Sequence, residues 1–167
     1  MKKDLAIIFG LFLVVACLLI FGRQFTSVSF LSPSNATKSA APQGFTRVSI
    51  RNLMVDAKIV AKASDRKKGL SGKESLPFNE GLLFVFESKS LYPFWMKDMK
   101  FPIDIIWLDE NKKVVSIASY ASPEPGKDDD ELTLYRPSAD SMYVLEINAG
   151  LAAREGIEIG DTASFEL

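Results

Sequence analysis

From Phe45 onward, apolar and polar positions alternate with the period of two that marks a β-strand. Phe45, Arg47 and Ser49 oppose Thr46, Val48 and Ile50, and Val55–Val60 follows a short Arg-Asn turn, which predicts a β-hairpin. Gly81–Phe86 is apolar at every position after its glycine, the pattern of a strand buried on both faces. In Ile103–Leu108, one side carries Ile103, Ile105 and Trp107 and the other Asp104, Ile106 and Leu108, again a central strand. Asp109–Lys112 turns it into Val114–Tyr120, a second hairpin. Met142–Ile147 repeats the central pattern with Tyr143, Leu145 and Ile147 against Met142, Val144 and Glu146, and Thr162–Leu167 forms the last strand. Two stretches break the period. Ser64 stands as an N-cap before Asp65, Arg66, Lys67 and Lys68, acid first and bases later, and Gly69–Gly72 closes this helix near Asp65–Leu70; Ala149–Glu155, closed by Gly156, is a second. The fold class is therefore mainly β (α+β): a compact antiparallel, barrel-like β domain with one or two short helices.

The first residues follow another rule. Leu5–Phe21 is free of charge and just long enough to span a bilayer, with Lys2 and Lys3 before it and only Arg23 close behind. This predicts a single N-terminal transmembrane helix with everything after Arg23 outside the cytoplasm. A signal segment is the alternative, in the form of a lipoprotein signal: Val14, Val15 and Ala16 lead into Cys17 with lipobox-like spacing, which would make Cys17 the lipidated residue. Ser, Thr, Asn, Pro and Ala then dominate without apolar periodicity, so the chain divides into a membrane anchor or signal segment over 1–22, a flexible linker over 23–43 and a β-rich domain over 44–167.

Composition adds exclusions. Among 167 residues, 20 Lys plus Arg against 21 Asp plus Glu leave no concentrated basic surface, so no nucleic-acid partner is expected. There is no histidine, and the one cysteine lies in the apolar N-terminal run. Serine–histidine–aspartate triads, cysteine nucleophiles in the domain, and the usual zinc, copper and haem ligation are excluded, and no metal or cofactor is expected. Ser122–Glu131 is a loop whose acids, Asp128–Glu131, run consecutively instead of at the alternate spacing of a calcium loop.

Candidate chemistry concentrates in Phe94–Leu108. Its first half mixes Trp95, Met96, Lys97 and Asp98, and Pro102, with no N–H for a ladder, bends the chain before the next strand. Asp104 shares a strand face with Ile106 and Leu108, and Glu146 shares one with Val144; a carboxylate so placed must be paired, hydrogen-bonded or set at an opening of the core. Asp104, Glu146 and Arg66 are accordingly expected to converge on one polar spot. Arg66 has a plain alternative as a solvated helix arginine, and Trp95 and Met96 as core.

The order and spacing of RKKGLSG, GLLFVF, FWMKDMKFPIDIIWLDENKKVV, YVLEINAG and GIEIGD resemble the domain of unknown function 192 family over Phe45–Leu167. Members often have methionine where Ser71 and Leu82 stand and asparagine-threonine where Asp98 and Met99 stand. The resemblance implies a small, mainly β domain, often exported, with no established reaction. It also puts weight on Arg66, Trp95, Met96, Lys97, Asp98, Asp104 and Glu146 as the motif-bearing positions. Three functions compete. The first is a membrane-anchored extracytoplasmic module binding a small molecule or glycan, with Trp95 stacking on an apolar ligand face and charged neighbours taking its polar groups. The second is a carboxylate-dependent hydrolase using Asp104 and Glu146 on envelope glycans. The third is a structural or protein-interaction domain in which Arg66, Asp104 and Glu146 form a buried network. No residue set compels a reaction.

Overall fold

A computed structural model describes residues 44–167; the Leu5–Phe21 segment, Cys17 and the linker over 23–43 lie outside the described residues. Seven strands form one sheet: β1 (Phe45–Ile50), β2 (Leu53–Val60), β3 (Glu80–Ser90), β4 (Ile103–Leu108), β5 (Val114–Ala121), β6 (Ser141–Asn148) and β7 (Ala163–Ser164). Their order is β5-β4-β6-β3-β2-β1-β7. Hairpins β1–β2 and β4–β5 form as the alternation predicts, and β3, β4 and β6 occupy the middle, where apolar residues on both faces belong. One pairing departs from the antiparallel expectation. β2 and β3 run parallel, because the chain between them crosses over through α1 (Ala63–Lys68) and a long loop instead of a tight turn. The two edges meet at one end: Val114 N donates to Asp161 O (2.7 Å), Gly160 N to Val114 O (2.8 Å) and Ala163 N to Lys112 O (2.8 Å). The sheet is therefore curled into a half-barrel.

The helices fall where glycines and charge predicted, with corrected bounds. α1 starts at Ala63 after an extended Lys62, so Ser64 lies inside the helix and does not cap it; Gly69, at φ 49°, ends it. The second helix, α2, covers only Leu151–Arg154. Among the described residues, no helix is long and apolar enough to cross a membrane.

Curling gives the sheet two unlike faces. The concave face holds Val48, Ile50, Val55, Leu83, Ile106, Leu108, Leu145 and Ile147, closed by Leu151 and Phe165. The convex face holds Leu82, Phe84, Ile105, Trp107 and Val144 and is roofed by Leu70, Leu76 and Met96 from the two long connections. Phe94–Phe101 is thus a cover laid over the convex face, not a regular strand. Its backbone bridges only at Phe94 and turns at Lys97–Asp98.

Candidate functional site

Asp104 and Glu146 sit on adjacent, paired strands, yet they face opposite ways. The register sets Asp104 against Ile147 and Ile105 against Glu146. Residues directly opposite one another share a face, so Asp104 enters the concave core and Glu146 the convex side. The expected convergence of all three on one spot therefore does not occur: Asp104 is separated from Glu146 and Arg66, which border one cleft.

Asp104 is fully buried and fully satisfied. Its Oδ1 accepts the Tyr120 backbone N–H and its Oδ2 that of Ala152, each at 2.9 Å. Tyr120, at φ 54°, lies where β5 gains one residue relative to β4 between Ile103 and Ile105, a β-bulge that turns its N–H toward the carboxylate. Ala152 is in the first turn of α2, whose own N-cap, Gly150, has no side chain to offer. Asp104 therefore caps the helix from across the core and ties it to the bulge. A Cβ on Gly150 would stand 2.5 Å from the Tyr120 hydroxyl, which, with a φ of 83°, reserves that position for glycine.

Glu146 is buried too, at 6% exposure, but its Oε2 has no hydrogen-bond partner. Burial alone pushes its carboxyl up to about 8, with no cation close enough to offset the desolvation. It lies on the floor of a cleft of about 290 Å³. Phe84, Phe86, Tyr92, Phe94 and Trp95 wall the cleft, and Arg66, Lys67 and Lys68 of α1 line its rim. The walls are fixed by backbone bonds. Trp107 Nε1 donates to Tyr92 O (2.9 Å), Phe94 exchanges both its backbone bonds with Tyr135, and the loop after α1 is stitched to the cover through Ser71 Oγ to Lys97 O (2.8 Å) and Gly72 N to Asp98 O (2.9 Å). Phe94 packs edge-on against both Phe84 and Trp107, and Phe86 stacks on Tyr92. Arg66 lies over the Phe86 ring at 4.9 Å and donates to the carbonyls of Val85 (3.2 Å) and Ala61, so it is held by neutral acceptors, and it has no carboxylate partner among the described residues.

Of the residues singled out in the sequence, the cleft gathers Arg66, Trp95 and Glu146. Met96, at 1% exposure, is core under the cover. Lys97 pairs with Asp129 and, with Asp98, borders a separate hollow beside the acidic loop. Asp98 takes φ 55°, a left-handed turn that its short polar side chain tolerates, so its place in the motif is explained by backbone conformation. The sequence reading missed Phe86 and Tyr92. The signal for Phe86 was its parity with Leu82 and Phe84 at the less buried end of β3; nothing local marks Tyr92. Among the described residues no His, Cys, Asp or Glu cluster could hold a metal ion.

The fold and cleft define a small domain: a curled β-sheet whose cover leaves an aromatic, base-rimmed cleft over a buried acid. The chain belongs to the domain of unknown function 192 family, described as "Uncharacterized ACR", whose model matches residues 46–165. It resembles a protein of unknown function from Novosphingobium aromaticivorans DSM 12444, with 28% identity, a TM-score of 0.65, and coverage of 72% of this chain and 84% of that one. A candidate transcription regulator from Sinorhizobium meliloti 1021 shares the fold, with a TM-score of 0.65 at 23% identity over 72% of this chain and 93% of that one. No curated protein matches the chain.

Proposed function

We propose that the domain is a binding module for a polar small molecule or a single sugar unit of a glycan, held in the cleft above Glu146. The observation that carries this reading is a buried carboxyl, one oxygen of it unpartnered and shut off from solvent, among the residues that line an open, aromatic-walled cleft. Such a group costs folding free energy, typically 1–3 kcal/mol or more, unless something that enters the cleft satisfies it. Aromatic walls with a few convergent polar groups are the usual composition of a ligand site, and the volume suits a monosaccharide-sized molecule. Trp95 lines the cleft, 38% exposed, with the Lys97 ammonium over its ring at 5.7 Å, and its exposed edge would pack on an apolar ring surface.

The hydrolase reading has lost its pair, since Asp104 has both oxygens occupied by backbone N–H groups and lies across the sheet from Glu146. The buried-network reading has lost its connections, since Arg66 bonds carbonyls and neither acid. We also propose that Leu5–Phe21 anchors the chain in the cytoplasmic membrane with residues 44–167 outside, which would place the cleft among envelope glycans and solutes; the support is the charge-free run between Lys2–Lys3 and Arg23.

The test is a tryptophan-fluorescence titration of the full chain in detergent micelles with neutral, acidic and amino monosaccharides. A saturable response that disappears in Trp95→Ala is expected. No saturable response to any of them overturns the reading.

A further inference from the structure

The charges around the cleft narrow the class of ligand, given that the cleft is a binding site at all. Its Lys, Arg, Asp and Glu lining consists of three bases, Arg66, Lys67 and Lys68, and one acid, Glu146. None of the three bases has a carboxylate partner among the ion pairs of the described residues, whereas Lys97, Lys100 and Lys127 nearby are each paired, with Asp129, Glu74 and Glu124. Arg66 is also held in place by its two carbonyl bonds and the Phe86 ring, so its charge stays at the cleft and does not wave free in solvent. Whether Glu146 is protonated or ionised, the bases outnumber it, and the opening carries net positive charge.

We propose that the cleft selects an anionic ligand, a ring compound such as a uronic acid whose acid group meets Arg66, Lys67 and Lys68 at the rim while an oxygen of its inner edge hydrogen-bonds the Glu146 carboxyl. The inner contact falls on a carboxyl that the fold leaves with an unpartnered oxygen. With its proton on, Glu146 donates to a hydroxyl or carbonyl oxygen of the ligand. A cationic ligand would meet like charge, Arg66 first, on its way to the floor.

The experiment uses three pyranoses that differ in charge: glucuronate, glucose and glucosamine. Each is titrated into the full chain in detergent micelles at pH 6.5 and low salt and followed by tryptophan fluorescence. Glucuronate is expected to bind on the order of ten-fold more tightly than glucose, the effect of about one charge-assisted contact, with glucosamine weakest. Arg66→Met, which keeps the stacking on Phe86, should erase the preference, as should the double variant Lys67→Gln/Lys68→Gln in part, while raised salt shrinks it. Glucose or glucosamine binding as tightly as glucuronate, with a response lost in Trp95→Ala, overturns the anion inference and leaves the binding-module reading standing. No response to any of the three overturns both.

Discussion

Asp104 and Glu146 are the same chemistry under opposite conditions, and substitution separates them. Asp104→Ala removes the acceptor of two buried backbone N–H groups at once. At roughly 1–3 kcal/mol for each donor left unpaired, we expect a loss of about 2–6 kcal/mol in urea denaturation, with the bulge at Tyr120 and α2 loosened together. Glu146→Gln should move stability the other way. Folded Glu146 keeps its proton up to about 8, whereas an unfolded glutamate releases it near 4.5. Between those values the folded state binds more protons, so this group's contribution is fully present below pH 4.5 and is lost as pH rises toward 8, at up to about 1.4 kcal/mol per unit. Denaturation curves from pH 5 to 9 should show wild type losing stability with pH relative to Glu146→Gln, and parallel profiles for the two would contradict the burial of the acid.

At the scale of elements, the cover of the convex face is held by backbone geometry. The Lys97–Asp98 turn depends on a left-handed residue, and its carbonyls receive Ser71 Oγ and Gly72 N from the loop after α1. Asp98→Asn preserves that conformation and should change stability by less than about 0.5 kcal/mol, in keeping with the asparagine that the family resemblance suggests there. Asp98→Val sets a β-branched residue at φ 55° and should cost about 1–2 kcal/mol, with weakened ligand response at Trp95. Chemical denaturation of the two variants side by side checks this, and equal losses would show that the turn is not conformationally controlled. Gly81 plays a comparable part within the sheet. A Cβ there would lie 2.9 Å from the Glu146 carbonyl, so Gly81→Ala must push β3 from β6 where the floor of the cleft is built, and a loss of about 1–3 kcal/mol is expected from thermal melts.

At the scale of the whole molecule, the charge placement around Leu5–Phe21 predicts that reporter fusions at Gly44 are active only when the reporter works outside the cytoplasm; activity of a cytoplasm-only reporter there would overturn the proposed topology. Within 44–167, much was legible from order alone. The hairpins, the doubly apolar central strands and both short helices follow from local periodicity and turn residues, because each depends on neighbours within a few positions, and the family follows from motifs whose order and spacing run along the whole domain. The faces of Asp104 and Glu146 within their own strands were legible as well. What the strand patterns left open was register. Sliding β6 by one residue against β4 would have put the two acids side by side, and both strands are apolar on both faces, so no alternation penalises the slip. Tertiary structure decided it through contacts distant in sequence: the bulge at Tyr120, the first turn of α2 and the cover from Tyr92 to Met99 surround each acid with different partners. Sequence alone determined that this chain carries a β domain with two unexplained carboxylates. Only the folded sheet decided that one is a structural cap and the other the unmet group in an open cleft, because a strand's period assigns each side chain a face but not which of the two faces opens to solvent.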